Sequence, residues 1–271
     1  MAIIDGKKIA GGILEKLNVA SKLDRFLAAV LVGEDRSSIS FLGQKEKIAK
    51  QLGVDFRLYK FPATLKNDKL REEVGKIARH RTCGGVIVQL PLPEHLNWYY
   101  ILNAIPPEKD VDVLSERTIG AFYAGRSKVL PPAVGTVGEI LGSLHAPSFD
   151  LDARSVAVVG LGLLVGRPVA NWIMRRAKET FLLRSTSDLG ILKQADLVIT
   201  GVGKAGLIKP GMLKAGAGVI DFGYEGGKGD FEIPGNETEN AKIDFYTPTP
   251  GGTGPILVAK LFENFYTLNG G

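Results

Sequence analysis

The sequence predicts an α/β protein of two domains, each built around a mainly parallel sheet. Three observations carry this. Residues 26–93 run apolar strand, amphipathic helix, strand, helix, strand, an order that implies parallel strands with right-handed crossovers. A second alternation of the same kind begins at Ser155. Within it lies Val158-Val159-Gly160-Leu161-Gly162-Leu163-Leu164-Val165-Gly166-Arg167-Pro168, an apolar strand that enters a three-glycine turn and then a helix. At 271 residues the chain is long enough for two domains with a sizeable core.

In chain order, Ile3 to Leu17 reads as a short strand and an amphipathic helix, and Phe26 to Val32 as a buried strand ended by Gly33-Glu34-Asp35. Ser37 or Ser38 is a candidate cap for a helix from about Ile39 to Leu52, stopped by Gly53 in a left-handed C-cap. On that helix Ser38, Phe41 and Lys45 fall on one face. Lys45 taken alone reads as a solvated lysine beside Lys47 and Lys50, since exposed lysine is the usual state. Val54 to Tyr59 gives the next strand, Lys66 to Arg79 a polar amphipathic helix, and Gly84 to Leu90 a third strand closed by Pro91 and Pro93. Ligands of such sheets gather beyond the carboxyl ends of the strands, where Gln89 falls. In Lys109-Asp110-Val111-Asp112, Asp110 reads as a cap or a lysine partner and Asp112 as a ligand contact.

Thr136 to Leu144 reads as a connecting helix. The second system then comprises strand 155–160, helix 168–177, strand 180–184, a short helix 188–194, and strands Leu197–Thr200 and Gly218–Phe222. The glycine turn is spaced G-x-G-x-x-x-G, a variant of the dinucleotide fingerprint. It offers backbone N–H groups and the positive end of a helix dipole to an anion. A turn with no ligand is the plainer alternative. Dinucleotide folds that hold NAD place an acidic residue about 20 residues beyond the glycines. Here Arg184-Ser185 ends the second strand, and a cation with a hydroxyl suits the 2′-phosphate of NADP over NAD. A plain surface arginine is the alternative. Gly201-Val202-Gly203 would let a cofactor lie against the backbone. Residues 224–240 read as an exposed loop, and a Pro/Gly loop at 246–255 feeds a last helix to about Tyr266.

Composition bounds the function. Hydrophobic content of 45% and charged content of 23% are ordinary for a globular protein. The net charge of +5 is spread without a basic run, which favours anionic small molecules over nucleic acid. Met1 to Lys8 meets charged residues too soon for a secretory core, and no apolar run has membrane-spanning length, so a cytoplasmic protein with no membrane partner is expected. The single Cys83 excludes an intrachain disulfide and a cysteine zinc cluster. His80, His95 and His145 show no metal spacing, so no metal is expected.

Five separated motifs together resemble the methylenetetrahydrofolate dehydrogenase/cyclohydrolase family across essentially the whole chain. They are Ser38-x-x-Phe41-x-x-x-Lys45, Val88-Gln89-Leu90-Pro91-Leu92-Pro93, Lys109-Asp110-Val111-Asp112, Gly160-x-Gly162-x-x-Val165-Gly166-x-Pro168 and Pro250-Gly251-Gly252-Thr253-Gly254-Pro255. The resemblance implies a folate-binding catalytic domain over 1–134 with segment 253–271 packing back on it, facing a Rossmann-like NAD(P)-binding domain over 135–252, in a homodimer. It implies oxidation of 5,10-methylenetetrahydrofolate to the methenyl compound, then hydrolysis to 10-formyltetrahydrofolate. Carried over by position, Lys45 is the catalytic lysine, Gln89 its hydrogen-bonding neighbour, and Asp112 the anchor of the pterin. Substrate contacts are implied for Ser38, Phe41, Val88 and Leu90, and for Pro250, Gly251, Gly252 and Thr253. Cofactor contacts are implied for Gly160, Leu161, Gly162, Val165, Gly166 and Pro168, for Arg184 and Ser185, and for Gly201, Val202, Gly203 and Tyr224.

The chain departs from the family pattern at several of these positions. Phe41 stands for a usual tyrosine, Leu161-Gly162 for an Arg-Ser pair, Val113 for a glycine and Thr253 for an apolar residue. Residues Pro131-Pro132-Ala133-Val134-Gly135-Thr136 replace a Pro-Cys-Thr-Pro-x-Gly segment. Leu161 raises an NAD-specific dehydrogenase as an alternative. Phe41 and the altered 131–136 segment raise a binding-only paralogue.

Overall fold

The structure is a computed structural model that describes residues 1–19, 23–144, 149–235 and 243–270; His145 and residues 236–240 of the expected loop lie outside them. The chain forms two compact units. One holds Gly12–Pro132 and Val258–Gly271, the other Met1–Gly11 and Ala133–Leu257.

The first unit is built on a three-stranded parallel sheet. Strand β2 (Phe26–Val32) is central, flanked by β3 (Asp55–Phe61) and β4 (Cys83–Val88). β2 and β4 are apolar and buried throughout, as continuous hydrophobic runs in a parallel sheet require, whereas the edge strand β3 is only partly covered. Gly85 is small because a Cβ there would stand 2.7 Å from Val111 and 3.0 Å from Leu27 and Phe265. Helix α2 (Arg36–Leu52) begins earlier than expected. Its cap is Asp35, whose carboxylate accepts the Ser38 N–H at 2.7 Å, in place of either serine. Gly53 closes it with φ 67°, as predicted. Helix α3 (Asn67–Arg79) is tied at its C-terminal end by Lys109, whose ammonium donates to Ala78 O at 2.6 Å and His80 O at 3.3 Å. The last helix of the chain, Thr253–Leu268, contributes Phe262 and Phe265 to the buried interior.

The second unit carries a six-stranded, wholly parallel sheet. Its strands are β1 (Ala2–Ile3), β5 (Ser155–Val159), β6 (Glu179–Leu183), β7 (Leu197–Thr200), β8 (Ala217–Asp221) and β9 (Ile243–Tyr246), ordered β1-β9-β8-β7-β5-β6. Chain order reverses between β5 and β7, which makes their carboxyl ends the switch point where ligands of such sheets bind. The interior is aliphatic, with Ala157, Val159, Val198 and Val219 from the strands.

The structure adds to the sequence reading, and departs from it in the extent of the helix after the glycine turn and in the loop that follows β8. Residues 1–11 pack with this unit, since β1 pairs with β9 and Ile4 N–H donates to Tyr246 O at 2.9 Å. A two-residue strand paired near the far end of the chain leaves no periodicity to read. Strand β9 itself had no expected counterpart. Residues 189–194 form a 3-10 helix, and the helix after the glycine turn, α7, spans Gly166–Ile173, stopping short of 177. Within the stretch read as exposed loop, Asp230 and Phe231 are buried, and Phe231 bridges to Ile208. Among the described residues no helix is long and apolar enough to cross a membrane, and no cluster of His, Cys, Asp and Glu could hold a metal.

Candidate active site

In the first unit the sequence-predicted catalytic residues meet at the carboxyl end of the sheet. Lys45 sits mid-way along α2, on its buried face with Ser38, Leu42 and Ala49. Gln89 directly follows β4, its backbone N–H donating to Val30 O at 2.9 Å. The Gln89 amide group donates to Leu90 O at 2.8 Å, which aims its Oε1 at the Lys45 amine, 3.3 Å away. The Phe41 ring, one helical turn before Lys45, lies 4.9 Å from that amine. Lys45 is 4% exposed, so its charged form has lost nearly all hydration. Burial pulls the amine below the ordinary lysine range, and the Asp112 carboxylate opposes part of that effect. Burial raises Asp112 in turn, with Lys45 lowering it and Asp110 raising it further.

Asp112 is held by its neighbours. Asp110 bridges to Val86 of β4, and Asn264 of the last helix donates to Val111 O at 2.8 Å. The Asp110 carboxylate accepts from Leu114 N at 3.0 Å, Ser115 N at 2.7 Å and Thr118 Oγ1 at 2.5 Å, which fixes the turn leading into helix Glu116–Tyr123, while Lys109 donates to Ala78 O and His80 O. Between these anchors Val113 is held at φ 57°. That left-handed conformation is natural for glycine and strained for a β-branched residue. The backbone therefore keeps a glycine-like path although the side chain has changed. Of the remaining expected substrate contacts, Ser38 is buried in the first turn of α2, Leu90 is half-buried, and Val88 is in the sheet core at 3% exposure.

The expected cofactor residues group with the six-stranded sheet. Gly160 follows β5 with φ 85°, and Gly166 leaves no room for a Cβ against Gly160 O. Leu161 is half-buried, Gly162 exposed, Val165 half-buried and Pro168 buried at the start of α7. Gly201, Val202 and Gly203 follow β7, and a Cβ on Gly160 would stand 2.8 Å from Val202, so the two turns lie against each other at the switch point. Arg184 and Ser185 are exposed just past β6, where Ser187 Oγ accepts the Arg184 N–H at 3.0 Å and fixes the bend. Tyr224 is exposed beyond β8.

Pro250, Gly251, Gly252 and Thr253 also belong to this unit. Thr253 is buried, and its hydroxyl donates to Asp221 O at 2.8 Å, tying the start of the last helix to β8. Among the described residues, the buried polar side chains that sequence reasoning passed over include Asn264, Asp221 and Asp230. An acidic residue closing the apolar strand Ala217–Asp221 was a legible signal for Asp221. Asp230 stands among glycines and charges that read as solvated loop, with no signal of its own. Burial raises Asp221 to about 6, against backbone hydrogen bonds from Phe231 and Gly223 that lower it, and with Asp230 adding to the rise.

Comparison with known proteins divides the chain near residue 132 as the compact units do, and differs from them at the ends, where residues 4–11 fall in the first match and 258–269 in the second. Residues 4–112 match the model of the tetrahydrofolate dehydrogenase/cyclohydrolase catalytic domain, and 132–269 that of its NAD(P)-binding domain. The bifunctional protein FolD of Halothermothrix orenii is 34% identical over 275 residues, covering 97% of this chain and 95% of its own. The crystal structure of FolD methylenetetrahydrofolate dehydrogenase/cyclohydrolase from Campylobacter jejuni is similar with a TM-score of 0.91 at 28% identity, covering 100% of this chain and 99% of that one. The Trypanosoma brucei enzyme, solved with NADP and an inhibitor, gives a TM-score of 0.88 at 26% identity over 99% and 97% of the two chains. The chain belongs to the tetrahydrofolate dehydrogenase/cyclohydrolase family.

Proposed function

We propose that the protein oxidises 5,10-methylenetetrahydrofolate to 5,10-methenyltetrahydrofolate with NADP and hydrolyses that product to 10-formyltetrahydrofolate. The observation that carries this is the buried Lys45 amine, 3.3 Å from Gln89 Oε1 and electrostatically coupled to Asp112. The methenyl compound is cationic, so it adds to burial in favouring the neutral amine. Water adds to the cationic carbon and gives one proton to Lys45, and the remaining hydroxyl proton passes to the leaving ring nitrogen as the C–N bond opens to the formyl product. Gln89 orients the amine without adding charge, and Asp112 accepts paired hydrogen bonds from the amino-pyrimidine edge of the pterin. A binding-only paralogue would not need a desolvated amine held by an amide.

The residues around the switch point fit a dinucleotide. The 160–166 turn has a left-handed Gly160 and a Gly166 with no space for a side chain, so bare backbone can approach a pyrophosphate. Arg184, exposed at the end of β6, would pair with the 2′-phosphate. NADP, when bound, supplies the hydride acceptor; the contribution of the chain to that step is orientation. A cytoplasmic homodimer acting on tetrahydrofolate derivatives is the form this function takes in our reading, supported by the family resemblance.

The test is Asp112→Ala. Folate affinity should fall at least about tenfold, the worth of a lost charge-assisted pair, with NADP affinity retained. Equal losses for both ligands would remove Asp112 from the pterin site.

A further inference from the structure

Three consecutive backbone N–H groups and one hydroxyl converge on a single buried carboxylate beside the nucleotide turns. Asp230 is 0% exposed. Its Oδ2 accepts from Thr200 Oγ1 at 2.7 Å and Val202 N at 2.7 Å, and its Oδ1 accepts from Gly203 N at 2.9 Å and Lys204 N at 2.7 Å. We propose that Asp230 is a positioning residue for nucleotide binding, acting through the 200–204 turn that it fills from inside.

A run of N–H groups wrapped around a point is the backbone arrangement that ordinarily receives an anion. Gly203, at φ 78°, supplies the bend that brings these groups together. Here the anion is a side chain of the protein itself. The N–H groups of 202–204 therefore point inward at the carboxylate, while the Val202 side chain packs against Gly160 of the first turn and the core. That divides the work between the two turns: 160–166 takes the pyrophosphate, and 200–204 backs that turn.

The carboxylate is itself fixed. Ile208 N–H donates to Asp230 O at 2.9 Å, and Phe231 N–H donates to the Asp221 carboxylate at 2.9 Å. Gly223 has no room for a Cβ because the Asp230 carboxylate is there, and Gly229 has none because Asp221 is there. Loosening Asp230 would also disturb the first turn. A Cβ on Gly201 would stand 3.0 Å from Val165, and one on Gly160 would stand 3.0 Å from Gly201 O, so neither turn moves alone.

Because this builds on the proposed use of NADP, the test reads binding as well as turnover, in the full chain. Asp230→Asn keeps the shape but turns an NH₂ toward N–H donors, so bonds on one side are lost. Calorimetric titration should give a Kd for NADP raised about tenfold, as expected for buried donors left unpaired. KM for NADP should rise in parallel, with kcat at saturating NADP within about twofold of wild type. Thr200→Val removes one bond of the four and should raise Kd about threefold, and it decides the matter if Asp230→Asn does not fold. A folded Asp230→Asn protein with wild-type Kd would overturn the proposal, as would a fall in kcat with KM unmoved. A wild-type protein that does not bind NADP would instead overturn the functional reading beneath it.

Discussion

The Lys45 amine and the Gln89 side-chain oxygen stand 3.3 Å apart, linking the middle of α2 to the residue that ends β4. The two are separated by 44 positions in sequence, and the amide is held by Leu90 O so that only its oxygen faces the lysine. Burial shifts this amine toward its neutral form, in which it can act as a base. Lys45→Ala should therefore lower hydrolysis of 5,10-methenyltetrahydrofolate by about 10² to 10⁴-fold, the usual worth of a positioned acid–base group. Loss of methenyl absorbance above the buffer rate measures this, with circular dichroism checking the fold. Hydrolysis at the wild-type rate would remove Lys45 from the reaction.

Phe41 presents a bare ring 4.9 Å from the same amine. Phe41→Tyr places a hydroxyl near the lysine and the water it serves. Hydrolysis should rise by about threefold to tenfold, the value of one hydrogen bond, if the missing hydroxyl limits that step. No change in rate would show that hydrolysis does not depend on it.

Arg184 is a cation exposed at the end of β6, on a bend fixed by Ser187. Arg184→Ala should raise KM for NADP about tenfold and leave KM for the folate unchanged. Steady-state kinetics with each substrate varied in turn would check it. Equal sensitivity of NAD and NADP would assign the 2′-phosphate to another group.

Asp221 gives the pH dependence of stability. Its carboxyl titrates near 6 in the folded chain against an ordinary 3.8, because burial disfavours the charge and Asp230 lies close by. The folded state then holds the proton more tightly than the unfolded one. The associated stability is present below pH 3.8 and is lost as pH rises through about 6. The span corresponds to about 3 kcal/mol. Thermal melts between pH 4 and 7 should show this decline in the wild type and a flatter profile in Asp221→Asn. Parallel profiles for the two proteins would contradict the assignment.

Much of the fold was legible because it is local. The apolar runs of β2, β4, β5 and β7, the glycine at position 53 and the turn at 160–166 each carry their signal within a few residues. Lys45, Gln89 and Asp112 were singled out through motif and chemistry together, and the structure places the Lys45 amine 3.3 Å from Gln89 Oε1 and within electrostatic reach of Asp112. Pairings over long separations were not. β1 finds β9, Asn264 finds Val111, and Asp230 finds the 200–204 turn, and in none of these does the sequence pattern near one partner mention the other. Asp230 also shows why composition misleads at such places. Glycines and charges that resemble a solvated loop are there because a buried carboxylate needs donors and space on every side.

In the proposed function one chain performs both the oxidation and the hydrolysis. Mixing purified protein with 5,10-methylenetetrahydrofolate and either NADP or NAD, with full spectra recorded over time, tests it most directly. The expected result is reduced nicotinamide forming faster with NADP, and methenyl product disappearing faster than the buffer alone removes it. A folded protein that reduces neither cofactor would contradict the account.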